Sequence, residues 1–72
     1  MSNNPRYAEV IIPLAVEGVF TYSIPEHLSG EVVPGTRVLV SFGKRRIYSA
    51  VIRSISQLPP EGFKPKEILE IL

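Results

Sequence analysis

Two β-rich runs with a short glycine-bearing turn between them constrain this chain more than anything else in it. Arg37–Val40 and Ile47–Ile55 flank Ser41-Phe42-Gly43-Lys44-Arg45-Arg46. Apolar, turn, apolar is the pattern of a β-hairpin. Three adjacent cations at the tip, Lys44, Arg45 and Arg46, repel one another and bury nothing, so folding does not account for them. An anionic ligand does.

The remaining chain reads as strands that complete a sheet around this hairpin. Tyr7–Leu14 is a first strand, with Ala8, Val10, Ile12 and Leu14 on one face and Tyr7, Glu9 and Ile11 on the other. Pro13 cannot donate to a ladder, so the strand ends there or lies at an edge. Glu17-Gly18 is a turn. Val19–Ile24 is a second strand with Phe20, Tyr22 and Ile24 on one face and Val19, Thr21 and Ser23 on the other. Pro25–Gly30 is a loop with room for one helical turn, proline at its first position and Gly30 at its stop. Pro34-Gly35 predicts a type II turn, with glycine supplying the positive φ.

Thr36–Phe42 is the third strand, carrying Val38, Val40 and Phe42 on one face. Ile47–Ser56 is the fourth. Its two faces are both apolar, Ile47, Val51 and Ile55 against Tyr48, Ala50 and Ile52, so it is central or bends around a small barrel. Leu58–Gly62 is a break. Lys66–Leu72 fits an amphipathic helix in its apolar spacing, but it is short and β-branched, and we read it as a strand. The expected fold is mainly β: a small, mostly antiparallel, barrel-like domain of about five strands, with an α+β variant carrying one short helix.

Composition narrows the chemistry. The chain has 72 residues, no cysteine and a net charge of +1. A domain of this size buries only about 60% of its unfolded surface, so one modest core is expected over residues 1–72. The missing thiols exclude disulfide staples and most structural zinc sites. No apolar stretch approaches the length of a membrane span. All seven acids are scattered glutamates, whereas three of the eight basic residues are contiguous and Arg37 and Arg53 lie on the flanking strands. A local basic patch on a nearly neutral domain points to a specific anionic partner.

No catalytic constellation can be assembled. The lone histidine, His27, reads as a solvated loop residue, and no phosphate-cradling glycine motif occurs. Tyr22 and Phe42 read as core aromatics. Phe20 is open to a role at a rim, where aromatic faces stack bases without regard to identity. Gly43 reads first as a turn glycine, and Lys64 and Lys66 as surface lysines. The chain ends on Ile-Leu-Glu-Ile-Leu, which reads as the edge of a fragment of a longer protein, with an apolar end that invites a homodimer.

Three segments together resemble a known family. They are Val-Phe-Thr-Tyr-Ser-Ile-Pro, then Val-Pro-Gly-Thr-Arg-Val-Leu-Val-Ser-Phe-Gly-Lys-Arg-Arg, then Ala-Val-Ile. In order and spacing, from about Tyr7 to Leu72, they are similar to the N-terminal 3′ DNA-binding domain of the primosomal replication-restart helicases, the PriA family (primosomal protein N′). The resemblance implies a non-catalytic β-rich module that captures the 3′ end of a nascent leading strand at a stalled fork, whatever its base. It implies a terminal-nucleotide pocket lined by Phe20, Thr21, Gly43 and Lys66, with Lys44, Arg45 and Arg46 on the phosphates. The partners it implies are single-stranded or forked DNA with a free 3′-hydroxyl and, through the parent chain, primosome and single-strand-binding proteins in a bacterial cytoplasm. ATP and zinc would belong to other parts of the parent helicase, and this module would hold neither cofactor nor metal.

The chain departs from the family pattern at Thr21, where some members carry Asp, at Ser41, where proline is usual, and at Ser49, where glycine is common. A threonine hydroxyl is a weaker acceptor for a 3′-hydroxyl than a carboxylate, and Ser41 should loosen the turn. Two other readings fit the residues alone: a small SH3-like or OB-like RNA-binding domain, and a protein-interaction module.

Overall fold

The computed structural model describes residues 5–13, 18–44 and 46–72. Readings that fall on residues 1–4, Leu14, Glu17 or Arg45 lie outside them. Five strands form one sheet: β1 (Arg6–Ile11), β2 (Phe20–Ile24), β3 (Arg37–Ser41), β4 (Ile47–Ser56) and β5 (Glu70–Ile71). Their order is β2-β1-β4-β3-β5, and every ladder is antiparallel. The mainly β expectation therefore holds, and the only helical element among the described residues is a single 3-10 turn at Glu26–Leu28.

Alternation builds the core. Ala8, Val10 and Ile12 from the first run, Tyr22 and Ile24 from β2, Val38 and Val40 from β3, and Ala50 and Ile52 from β4 are all buried. Ladder pairs such as Ala8 with Tyr22 and Val38 with Ala50 put these side chains on one face. Val32, in the segment before the Pro34-Gly35 turn, also reaches the core. That turn closes by a bond from the Thr36 amide to the Val33 carbonyl (3.0 Å), with Gly35 at φ +94°, as expected for type II.

Several boundaries and faces differ from the sequence reading. β1 stops at Ile11, two residues before Pro13, and is an interior strand flanked by β2 and β4. β2 begins at Phe20 rather than Val19, and β3 spans Arg37–Ser41 rather than Thr36–Phe42, although Phe42 still packs on the core. Pro25 sits at the cap of the 3-10 turn, in extended backbone, and the turn ends at Ser29 rather than Gly30.

Strand β4 matches the expected Ile47–Ser56, but Ile55 changes face. The register runs Glu9 to Ser54 and then Val10 to Ile52, so Arg53 is an extra residue. Such a bulge reverses the alternation beyond it. Ile55 then pairs with Ala8 and packs on the core, while Ile47 and Val51 remain exposed. The two apolar faces of β4 are thus largely one core face interrupted by a bulge.

The last segment is only partly a strand. Its β5 ladder is two residues long, pairing Val38 with Ile71 and Leu39 with Glu70. Upstream, the same segment crosses to the other edge of the sheet. The Ser23 amide donates to the Lys66 carbonyl (2.9 Å), and the Ile68 amide donates to the Ser23 carbonyl (3.0 Å). No ladder closes the sheet, but this single parallel bridge ties β2 to the strand beside β3. Ile68, 1% exposed, fills the core beneath it.

Burying Ile68 while leaving Leu69 half exposed makes a direct test. Ile68→Ala should cost about 2–4 kcal/mol in a urea unfolding measurement. Leu69→Ala should cost less than about 1 kcal/mol. Equal losses would contradict the extended geometry of this segment.

Candidate nucleic-acid interface

The parallel bridge joins β2 to the last segment at Ser23 and leaves the strand open on either side of it. In an antiparallel strand, the N–H and C=O of one residue point to the same edge, and successive residues alternate. Ser23 directs both groups at the 66–68 segment. Thr21, two residues earlier, directs its own N–H and C=O to that same edge.

A cleft of about 490 Å³ opens there, within the range of small-ligand sites. Three pieces of chain wall it: Val19–Tyr22, Ser41–Gly43 and Phe63–Lys66. Phe20, Thr21, Gly43 and Lys66, the four residues implied by the resemblance for a terminal nucleotide, all line it. They come from three separate segments, and the fold brings them together.

Each has a distinct setting. Phe20 is half-buried and meets Phe42 edge to face, with ring centroids 4.8 Å apart. Phe42 meets Tyr48 in turn at 6.2 Å. Gly43 adopts φ +68°, and a Cβ placed on it would meet nothing within 4 Å. The position favours glycine because of its backbone conformation, and its surroundings leave the main chain approachable. The Lys66 ammonium donates to the Gly43 carbonyl across 3.3 Å, linking two walls of the cleft.

Thr21 turns its side chain to the outer face of the sheet, opposite Glu9 in the β1–β2 register. Glu9 in turn accepts a hydrogen bond from Ser54 Oγ at 2.9 Å. Thr21 lines the cleft, and by strand alternation its main-chain N–H and C=O face that edge. Tyr22, a core aromatic as expected, is 4% exposed, and its hydroxyl donates to the Ser41 carbonyl at 2.6 Å. Burial raises its pKa above the usual tyrosine value. This bond anchors the base of the turn that Ser41 was expected to loosen.

Lys44 and Arg46, the described cations of the basic tip, neighbour the cleft rather than line it. Lys44 and Arg46 flank a shallow depression with Ile47 and Tyr48. The contact between Phe42 and Tyr48 stands between this depression and the cleft. Arg37 and Arg53 do not join the tip. Arg37 begins β3 four residues before Ser41, roughly 13 Å along the strand, and Arg53 lies at the bulge. His27 is exposed on the 3-10 turn, and no group of acidic or histidine side chains able to hold a metal occurs among the described residues. No helix among them is long and apolar enough to cross a membrane.

Sequence reasoning left Phe63 and Pro65 out of the site and treated Lys64 as an ordinary surface residue. All three line the cleft. The available signal was an aromatic residue between glycine and lysine in a proline-rich connection, a pattern common to many loops.

Removing the Tyr22 hydroxyl should cost about 1 kcal/mol at neutral pH. Because the folded pKa is raised, the neutral phenol favours the folded state, and its contribution is complete below the unfolded value of about 10. It is lost as pH rises from there through the folded pKa. The stability gap between wild type and Tyr22→Phe should therefore stay constant up to about pH 10 and narrow as pH rises above it in urea titrations. A gap that stayed constant there too would contradict a buried neutral phenol.

Comparison with known proteins gives a consistent result. The family model described as the 3′DNA-binding domain (3′BD) of PriA matches residues 9–72. The replication restart protein PriA of Bacillus subtilis (strain 168) is 37% identical over 72 aligned positions, which cover 93% of this chain. The chain spans 9% of that relative's length. No solved structure matches significantly.

Proposed function

The chain belongs to the PriA 3′DNA-binding domain family, and from that membership we propose that its cleft captures the 3′ end of a nascent leading strand at a stalled replication fork without selecting the base. The DNA-binding role follows from the family. The capture of an end is our reading of the cleft. One observation carries it: Phe20 and Thr21, Gly43 and Lys66 line a single open cleft although they come from three distant stretches of the chain.

Base-blind recognition of an end needs groups that meet features common to all nucleotides. An aromatic ring stacks on any base, and Phe20 supplies one at the cleft wall. The sugar needs hydrogen-bond donors and acceptors at its terminal hydroxyl. On this reading the Thr21 main chain and the approachable Gly43 backbone provide them, so a threonine serves where some relatives carry a carboxylate. Lys66, whose ammonium already lies at the Gly43 carbonyl, meets the adjoining phosphate as a point charge. Lys44, Arg45 and Arg46 then follow the strand as it leaves the cleft.

On the same reading the chain is a DNA-docking module without a catalytic step. ATP hydrolysis, zinc binding and contacts with other primosome and single-strand-binding proteins belong to a parent helicase in the bacterial cytoplasm. The module itself uses neither cofactor nor metal.

Short single strands ending in a 3′-hydroxyl should bind more tightly than the same strands ending in a 3′-phosphate, measured by fluorescence anisotropy. Equal affinities would reject end capture and leave general single-strand binding. If the tip contacts phosphates through three cations, it should contribute about 2 to the magnitude of the slope of log Kd against log salt. Replacing Lys44 and Arg46 together by Ala should reduce it by roughly 1.4, and an unchanged slope would remove the tip from the interface.

A further inference from the structure

The connection from β4 to the last segment turns at Glu61–Phe63, with Gly62 at φ +87°, and presents Phe63 to the cleft. This ring is 57% exposed. It also lies outside the aromatic pairs formed among the described residues, which are Phe20 with Phe42 and Phe42 with Tyr48. A solitary exposed apolar side chain is ordinary on a protein surface. Leu58, at 79% exposure, is such a case, and it lines only a depression on the outer face. Phe63 differs because it borders the same opening as Phe20, Thr21, Gly43 and Lys66.

Its immediate neighbours sharpen the distinction. Lys64, Pro65 and Lys66 also line the cleft. The Lys66 backbone is anchored by its carbonyl to the Ser23 amide, and its ammonium reaches the Gly43 carbonyl. Phe63 therefore lies three residues from a backbone anchor. Its ring is unpaired but its position is restricted. A ring flanked by cations at an open cleft has the chemistry of a stacking platform for single-stranded nucleic acid.

We propose that Phe63 is a nucleobase-stacking wall of the cleft, receiving the terminal base on the arm that faces the Phe20–Phe42 pair. This deepens the reading of the cleft as a 3′-end site and rests on it. The contact is indifferent to base identity because every base presents a π face. It also gives the cleft two aromatic walls of different character. Phe20 is held by Phe42 and the core, while Phe63 stands on a loop.

The test compares two short deoxythymidine strands, both with a free 3′-hydroxyl. One carries a normal terminal nucleotide, and the other a terminal abasic tetrahydrofuran residue. Wild type should prefer the base-bearing strand by at least about fivefold. Phe63→Ala and the bulkier Phe63→Leu should both reduce that preference at least about twofold, leaving the share that Phe20 contributes, while binding the abasic strand as wild type does. A strand with 2-aminopurine at its 3′ terminus should be quenched on binding wild type, and less so by either variant. Since Phe63 is mostly exposed, far-UV circular dichroism should be unchanged. Wild type binding with a preference that is unchanged in both variants would overturn the role of Phe63 alone. Wild type that binds neither strand would overturn the 3′-end reading itself.

Discussion

Two backbone hydrogen bonds at Ser23 determine how the rest of the molecule is arranged. Its amide and carbonyl hold Lys66 and Ile68 at 2.9 and 3.0 Å. Without this bridge the last segment would touch only β3, and the β2 edge would be a free strand. With it, Ile68 is carried into the core and Lys66 is brought to the Gly43 turn. The bridge is a single pair rather than a ladder, so it stitches the sheet without sealing it. The unsealed part is the cleft, and the Thr21 backbone faces it for the same geometric reason that the Ser23 backbone faces the bridge.

Much of this fold could be read from local pattern. Alternation picked out Ala8, Val10, Ile12, Tyr22, Ile24, Val38 and Val40 as core positions, and all are buried. Pro34-Gly35 announced its turn because only glycine accommodates its φ cheaply. Other features depend on contacts between distant residues. The bulge at Arg53 exists only in relation to Glu9 and Val10, so no window around β4 could reveal that Ile55 changes face. Val32 follows no alternating run, and its burial comes from the loop closing over the core. The bridge from Ser23 to residue 67 spans more than half the chain and has no sequence period.

The candidate site was legible in a different way. Phe20, Thr21, Gly43 and Lys66 were located through a family resemblance, because none is unusual in isolation. Their convergence in one cleft is a property of the fold. The charge pattern was informative about a partner and less so about place: Lys44 and Arg46 flank a separate depression beyond the Phe42–Tyr48 contact. Arg37 and Arg53, near the tip in a linear view of the hairpin, lie along the strands away from it. Proximity in sequence overstated the size of the basic patch.

This division between cleft and tip bears on how a weak site on a small domain could distinguish an end from the interior of a strand. Cations alone bind any phosphate, and aromatic rings alone bind any base, so neither tells the end from the middle. Discrimination requires a group that meets an atom present only at the terminus, in a space that a continuing strand cannot occupy. On the proposed reading the Thr21 and Gly43 main chains occupy that position. Main-chain groups suit it because their direction is fixed by the β2 edge and by the positive φ of Gly43, with no side-chain entropy to lose on binding. The side chain at position 21 can then vary, since it belongs to the outer face beside Glu9, while the direction of its backbone is set two residues away at Ser23.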